Sequence, residues 1–401
     1  MTRIRTKGIE QPPPLLDHRP PHVWIAPGQT LVGFGEALRI NPGPGRGRFA
    51  KGAAHFRAWC EAAVIEDEVG LPGTGPVAFS SYTFDRASNG SVIVVPELLV
   101  GCHRDRWFIT TVDDTDPTPL FHPAGTTDPP ADRPRYAGAS VPDVHWLEAV
   151  AGTVERIGRT ELDKVVMARD FAVWSKERFD SKRILRSLLD RFPNCHIFSV
   201  DGLIGASPEL LVRVRDRTVE SVVLAGSAPR SGDPVEDEQI GKALLASDKD
   251  NREHEMAAVS VGRVLGEICE RMFRDPQPIL VDLANVRHLG TRFRGRLGHT
   301  LPALELAGML HPTAAVGGTP TELALETILE LEGMDRGRYA GPVGWMDGRG
   351  DGGFAIALRC AEISGARARL FAGAGIVAGS LPESELEETR LKLQAMLQAL
   401  E

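Results

Sequence analysis

No two of the five cysteines form a CxxC pair. The odd set Cys60, Cys102, Cys195, Cys269 and Cys360 is scattered along the chain, which argues against a disulfide framework and against a cysteine zinc site. These read as reduced, mostly structural thiols. Also missing is any stretch approaching ~20 apolar residues, so no helical membrane span is expected. The opening MTRIRTKGIEQPPPLL starts basic but lacks the apolar segment of a signal peptide, and a cytoplasmic location is the expectation. There is no run of Lys and Arg, and the net charge is −8, so the clustered basic surface that nucleic acid requires is absent.

What is present is ordinary for a globular protein. The chain is 42% hydrophobic and 25% charged despite 42 Gly and 29 Pro, which confines any disorder to local segments. Its 401 residues exceed the roughly 100 to 200 of a typical domain, so they fill either two domains or one large core. Residues 1–30 are Pro-rich and weakly patterned, and a poorly ordered arm is expected there. Strand-like runs follow at 29–39 and 91–99, and 113–143 is dense in Pro, Asp and Gly, as in a long surface connection. That connection closes a first part, 31–145, ahead of the stretch 146–401 that carries the chemistry.

Within that stretch, Trp146, Val150, Val154 and Ile157 recur at helical spacing, and 162–173 reads as a strand. Further strands are expected at 196–200, 209–214, 218–224, 352–363 and 366–373. Helices are expected at 236–246, 251–273, 322–332 and 382–400. Without regular βαβ alternation, this mixture predicts an α+β fold with antiparallel sheets.

Two acidic segments stand out. Asp250 and Glu253 are three apart at a helix start and share a face, and Glu385 and Glu388 repeat the arrangement with Lys392 one turn further on. Two such faces on separate helices can converge on Mg2+, which takes a few carboxylate oxygens plus water and substrate. Taken alone, each segment is a common pattern of a solvated helix face.

The context changes this reading. DKVVMAR (163–169), IGASPELLVR (204–213), LAGSAPR (224–230), DKDNREHEM (248–256), HLGTRF (288–293), HPTAAVGGTP (311–320), YAGPVGW (339–345), ALRCAEI (357–363), FAGAGIVAGS (371–380) and ESELEETRLK (383–392) together resemble the chorismate-binding family. Its members include isochorismate synthases, salicylate synthases, anthranilate synthase large subunits and aminodeoxychorismate synthases. The resemblance runs in family order over residues 160–395. It implies a large single-domain sandwich of two stacked, mainly antiparallel sheets flanked by helices, acting on chorismate as a monomer with no obligatory partner.

Carried over by position, the resemblance makes Glu253 and Glu388 the Mg2+ ligands, with Asp250 and Glu385 in the acidic shell. Arg359 would hold a substrate carboxylate, for which a bidentate guanidinium is suited. Gly226, Ser227, His288, Ala315, Tyr339, Lys392 and the backbone of Gly373 and Gly375 would complete the pocket. Lys164 matches the family's general base and Glu209 its general acid, for water attack at C2 and departure of the 4-hydroxyl. A lysine base must be neutral, which a desolvated strand position favours, and the acid must stay protonated.

The same resemblance separates subgroups. Amine-transferring relatives lack the lysine at 164. Lyases and amine-transferring enzymes carry threonine where this chain has Ala315, as isochorismate synthases do. Asp250 fits that subgroup too, whereas Val316-Gly317-Gly318-Thr319 departs from the usual Leu-Ser-Gly pattern. The implied activity is isochorismate synthesis, with salicylate synthesis, amine transfer or a catalytically silent chorismate-binding subunit as alternatives.

Overall fold

The computed structural model describes residues 1–122, 133–282 and 286–401. Among these, the strands form one sheet of 13 and one of 10. The larger sheet runs from Arg135–Gly138 through Lys164–Trp174, Arg367–Val377, Cys360–Ser364, Leu203–Ser207 and His196–Val200 at its centre. It continues through His22–Ala26, Gln29–Phe34, Leu98–His103, Arg106–Val112 and Arg3–Ile9 to Val64–Asp67. The smaller sheet runs from Cys269–Arg274 through Val286–Leu297, Thr218–Pro229, Leu210–Arg215, Gly352–Ile356, Pro342–Asp347, Val77–Ser81 and Val92–Val95 to Leu38–Ile40. Among the described pairings only Arg3–Ile9 with Val64–Asp67 is parallel. Strands from before residue 145 and after 146 thus share both sheets, as the α+β sandwich expectation requires.

The side-chain alternation of the strands builds the layers. Trp24, Leu31, Leu99, Phe198 and Leu203 join a core that also takes Phe79, Val94, Trp345 and Phe354 from the smaller sheet. Their neighbours Val23, Val32, Val100, Ile197 and Ile204 face the other way, onto Ile184, Leu185 and Leu188 of the helix Ser181–Arg191 and Leu393 and Met396 of Pro382–Leu400. The helix Asp248–Ile268 covers Thr218–Pro229 and Val286–Leu297 with Ala257, Ala258, Val261 and Leu265.

Several expectations are corrected. The first thirty residues are not a loose arm: Arg3–Ile9 and His22–Ala26 are sheet strands that bury Ile4, Thr6, Val23 and Trp24. Their prolines stand between strands, where no ladder hydrogen bond is lost. The helix expected to reach 273 ends at Ile268, because Cys269–Arg274 pairs with the edge of Val286–Leu297. In the connection 113–143, residues 135–138 form the edge strand and Thr118–Phe121 a short 3-10 turn, while 123–132 lie outside the described residues.

Three runs expected as single strands are each two strands in different sheets. Gln29–Phe34 and Leu38–Ile40 are divided at Gly35, which adopts φ 68°, and Val92–Val95 and Leu98–His103 are divided at Pro96. Gly352–Ile356 and Cys360–Ser364 are divided at Arg359, whose φ is 47°. Left-handed backbone costs a non-glycine residue roughly 1–2 kcal/mol, so a pattern of apolar residues gives no hint of this corner. Phe198, fully buried between the layers, tests the packing: Phe198→Ala should lower unfolding free energy by about 3–5 kcal/mol in urea titrations. A loss under about 1 kcal/mol would place this ring outside the packed core.

Candidate active site

Glu209 and Arg359 both sit where the chain passes from one sheet to the other. Glu209 links Leu203–Ser207 in the larger sheet to Leu210–Arg215 in the smaller, and Arg359 makes the return passage from Gly352–Ile356 to Cys360–Ser364. The two passages are bonded to each other. Ala206 N donates to Arg359 O at 3.1 Å and Ile356 N to Glu209 O at 3.2 Å. Both side chains are thereby buried and turned into one cleft.

Lys164 opens the strand Lys164–Trp174 and is 1% exposed, with its Nζ 3.0 Å from Glu253 Oε1 on the helix Asp248–Ile268. Glu388, on Pro382–Leu400, pairs with Lys392 at 2.5 Å, and Lys392 also donates to Gly373 O at 2.8 Å. Gly373 and Gly375 alternate on the strand facing Lys164–Trp174, opposite Ala168 and Val166. A Cβ at Gly375 would lie 2.5 Å from Glu253 Oε1 and 3.1 Å from Lys164 Cε, and one at Gly373 would lie 3.1 Å from the Tyr339 hydroxyl. The two glycines supply space and a carbonyl acceptor. Tyr339 stacks on Phe371, ring centroids 5.1 Å apart, and burial pushes its phenol up.

On the other wall, Gly226 takes φ 74° at a bulge in Thr218–Pro229. The bulge turns Ser227 toward His288, whose Nδ1 lies 3.1 Å from Ser227 Oγ. His288 Nε2 is 3.4 Å from Arg359 Nη2. Burial, then the charges of Arg359 and Lys392, push His288 down to about 3, so its ring is neutral beside the guanidinium. Arg359 Nη1 is buried with no hydrogen-bond partner. A buried N–H left unpaired is costly, and a carboxylate is the acceptor that a guanidinium fits best.

The cleft therefore gathers most of the residues inferred from sequence, Ala315 among them, with Lys164 beneath its wall. Asp250 and Glu385 stand behind it. Asp250 accepts from Ser247 Oγ at 2.5 Å as part of the cap of its helix, and Glu385 lies 3.7 Å from Lys249. Burial, then the negative charge of Glu388, raises the Glu385 carboxyl, and Glu253 adds to the effect. Three carboxylates thus crowd one region. Burial also acts to raise Glu388, but Lys392, Lys249 and Arg359 outweigh it and hold that carboxyl below its usual range. Carboxylate oxygens are the donor type that a hard divalent cation takes. Among the described residues, however, no group of three or more His, Cys, Asp or Glu is already arranged around a common point.

Sequence reasoning missed the buried pair Glu332 and Arg336, beneath the loop 311–320. Acid and arginine four apart at a helix end look like a surface pair; only the fold encloses them. A wider cleft of about 940 Å³ lies on their far side and is lined by none of the residues inferred from sequence.

The sequence profile of the chorismate binding enzymes matches residues 22–401. The chain belongs to that family. Isochorismate synthase DhbC of Bacillus subtilis is 42% identical over 267 residues, covering 64% of this chain and 67% of that protein. Isochorismate synthase MenF of the same organism is 38% identical over 259 residues, covering 64% of this chain but only 55% of its own length. The solved structure of MenF, the menaquinone-specific isochorismate synthase of Escherichia coli, superposes with TM-score 0.84 at 23% identity, covering 100% of this chain and 94% of that one. That likeness establishes the family fold. No described helix is long and apolar enough to cross a membrane.

Glu209 is the most perturbed acid in the cleft. Burial raises it from 4.5 to about 8, against the opposing pull of a backbone hydrogen bond from Leu224 and the charge of Lys164. The folded protein keeps this proton between those two values, where the unfolded chain has lost it. The contribution to stability is complete below pH 4.5 and is lost as pH rises through about 8. Glu209→Gln should therefore flatten the decline in stability between about pH 5 and about pH 8, by up to on the order of 1.4 kcal/mol per pH unit. Urea unfolding of both proteins at the two pH values measures this; identical pH slopes would mean that Glu209 is not buried as a neutral acid.

Proposed function

We propose that this chain is an isochorismate synthase. It would convert chorismate to isochorismate by adding water at C2 and releasing the 4-hydroxyl, without a partner subunit. The observation that carries the reading is Glu209: a carboxylic acid kept protonated at neutral pH, in the cleft where Arg359 presents an unpartnered N–H. The relatives bearing that name support it at 38–42% identity.

Arg359 donates to one substrate carboxylate, and Lys392 and the neutral His288 orient the ring beside it. Lys164, in its unprotonated form, takes a proton from the attacking water as the C2–O bond forms. The ring double bond shifts, the C4–O bond breaks, and Glu209 delivers its proton to the departing hydroxyl. The water consumed at C2 is balanced by the water released at C4, so the net change is an isomerisation. Glu253 and Glu388 would hold Mg2+, with Asp250 and Glu385 behind them. Bound there, the ion supplies positive charge for the second carboxylate and offsets the negative charge that Glu253 places against Lys164. Ala315 leaves the loop without the threonine hydroxyl that the lyase relatives carry.

Incubating the protein with chorismate and Mg2+ and separating the products tests the proposal. Isochorismate without pyruvate is expected; salicylate with pyruvate would assign the lyase activity, and unchanged chorismate would exclude both. Lys164→Ala should lower kcat at least about 100-fold, the lower range for a lost general base. Turnover should also fall as pH rises through about 8, where Glu209 gives up its proton. Chelation of divalent ions should stop turnover yet leave the thermal melting curve in place, and added Mg2+ should restore it.

A further inference from the structure

The strand that carries Lys164 has an incomplete edge. On one side Arg367–Val377 pairs with it along its whole length. On the other, Gly318–Thr319 covers only Lys164 and Val165, and Arg135–Gly138 covers only Ala172, Val173 and Trp174. Between them, on this side, the backbone at Val166 and Ala168 has no strand neighbour among the described residues, although buried peptide groups must find partners.

Side chains supply those partners. Val166 O accepts from Arg336 Nη2 at 2.6 Å, Ala168 N donates to Glu332 Oε2 at 2.7 Å, and Ala168 O accepts from Trp146 Nε1 at 3.0 Å. Val166 N donates to Gly317 O at 2.8 Å. Arg336 is bidentate to Glu332, at 2.7 and 2.5 Å, and its Nη1 reaches Val316 O at 2.9 Å. The pair is 2% and 0% exposed, and the guanidinium lies 4.1 Å from the centre of the Phe84 ring.

We propose that Glu332, Arg336 and Trp146 replace a missing strand segment and set the position of Lys164. They are positioning residues that hold its strand, and the loop bearing Ala315, in register with the cleft. This rests on the reading of Lys164 as the base. Val166, whose carbonyl Arg336 holds, lines the cleft, and Lys164 stands two residues before it on the same face of the strand. Misplacing a reacting group by about 1 Å can cost about 100-fold in rate, so loss of this edge reaches the chemistry without touching substrate.

The double variant Glu332→Leu/Arg336→Met exchanges the pair for apolar side chains of similar size, a change that buried ion pairs often tolerate. Its kcat should fall about 10- to 100-fold, with KM for chorismate changed less than about threefold because Arg359 and Lys392 are intact. Amide exchange over residues 164–168 should quicken while the helix Pro382–Leu400 exchanges as before. Trp146→Phe, which keeps a ring and removes one N–H, guards against a double variant that does not fold; it should lower kcat by roughly threefold, in the same pattern. A folded variant with kcat within twofold of the parent and unchanged exchange at 164–168 would overturn the proposal. So would an equal loss arising in KM alone. If the parent protein does not convert chorismate, the proposed function fails, whereas the exchange comparison needs no substrate and still decides whether these side chains hold the strand.

Discussion

The two passages between the sheets are the constraint on which the site depends. A sandwich whose strands stayed within their own layers would present only side-chain faces to its interior. Here the chain crosses at Glu209 and returns at Arg359, and the backbone bonds from Ala206 to Arg359 and from Ile356 to Glu209 lock the crossings side by side. A second crossing pair stands at Gly35 and Pro96, where Ala37 N donates to Val95 O at 2.8 Å. That pair uses glycine and proline, the residues suited to a corner. The pair at the cleft places arginine in the left-handed region instead. Strain of this kind persists only where the surroundings enforce it, and here it turns a charged side chain into the cleft that it would leave if Arg359 continued a strand.

Charge within the cleft follows from the same enclosure. Lys164 with Glu253 and Lys392 with Glu388 are close pairs, whereas Arg359 has the neutral His288 beside its Nη2 and no hydrogen-bond partner at Nη1. Burial removes the proton from His288 and keeps it on Glu209, so the two groups diverge from their ordinary states in opposite directions. Titratable groups pushed apart by one environment are the usual mark of an acid–base site.

Much of this was legible from sequence and some was not. The order of the motifs identified the family, and Glu209, Glu253, Arg359 and Glu388 line one cleft, with Lys164 paired to Glu253 at its wall. Two helices were placed well: 382–400 matches the observed bounds and 236–246 differs only at its start. The sheet crossings were not legible, because an apolar run reads the same whether one sheet or two receive it. The Pro-rich start misled for a related reason: prolines between short strands have the composition of a disordered arm. Glu332 and Arg336 carried no signal beyond a spacing that is common on helix surfaces, and their burial is a property of the assembled layers.

The proposed substrate carries two carboxylates, and the charges in the cleft bear on how an acidic chain would take it. At rest, Lys164, Lys392 and Arg359 set against Glu253 and Glu388 leave a single positive charge, with Glu209 neutral at pH 7, and none once Lys164 is in the neutral form that a base requires. A dicarboxylate alone would turn that balance negative in a place with little water to screen it. Entering together, a dicarboxylate and a divalent cation leave the balance unchanged. The resting ion pairs then keep the carboxylates and lysines mutually neutralised until both arrive. If the proposed Mg2+ binds there, metal and substrate would each improve the other's binding.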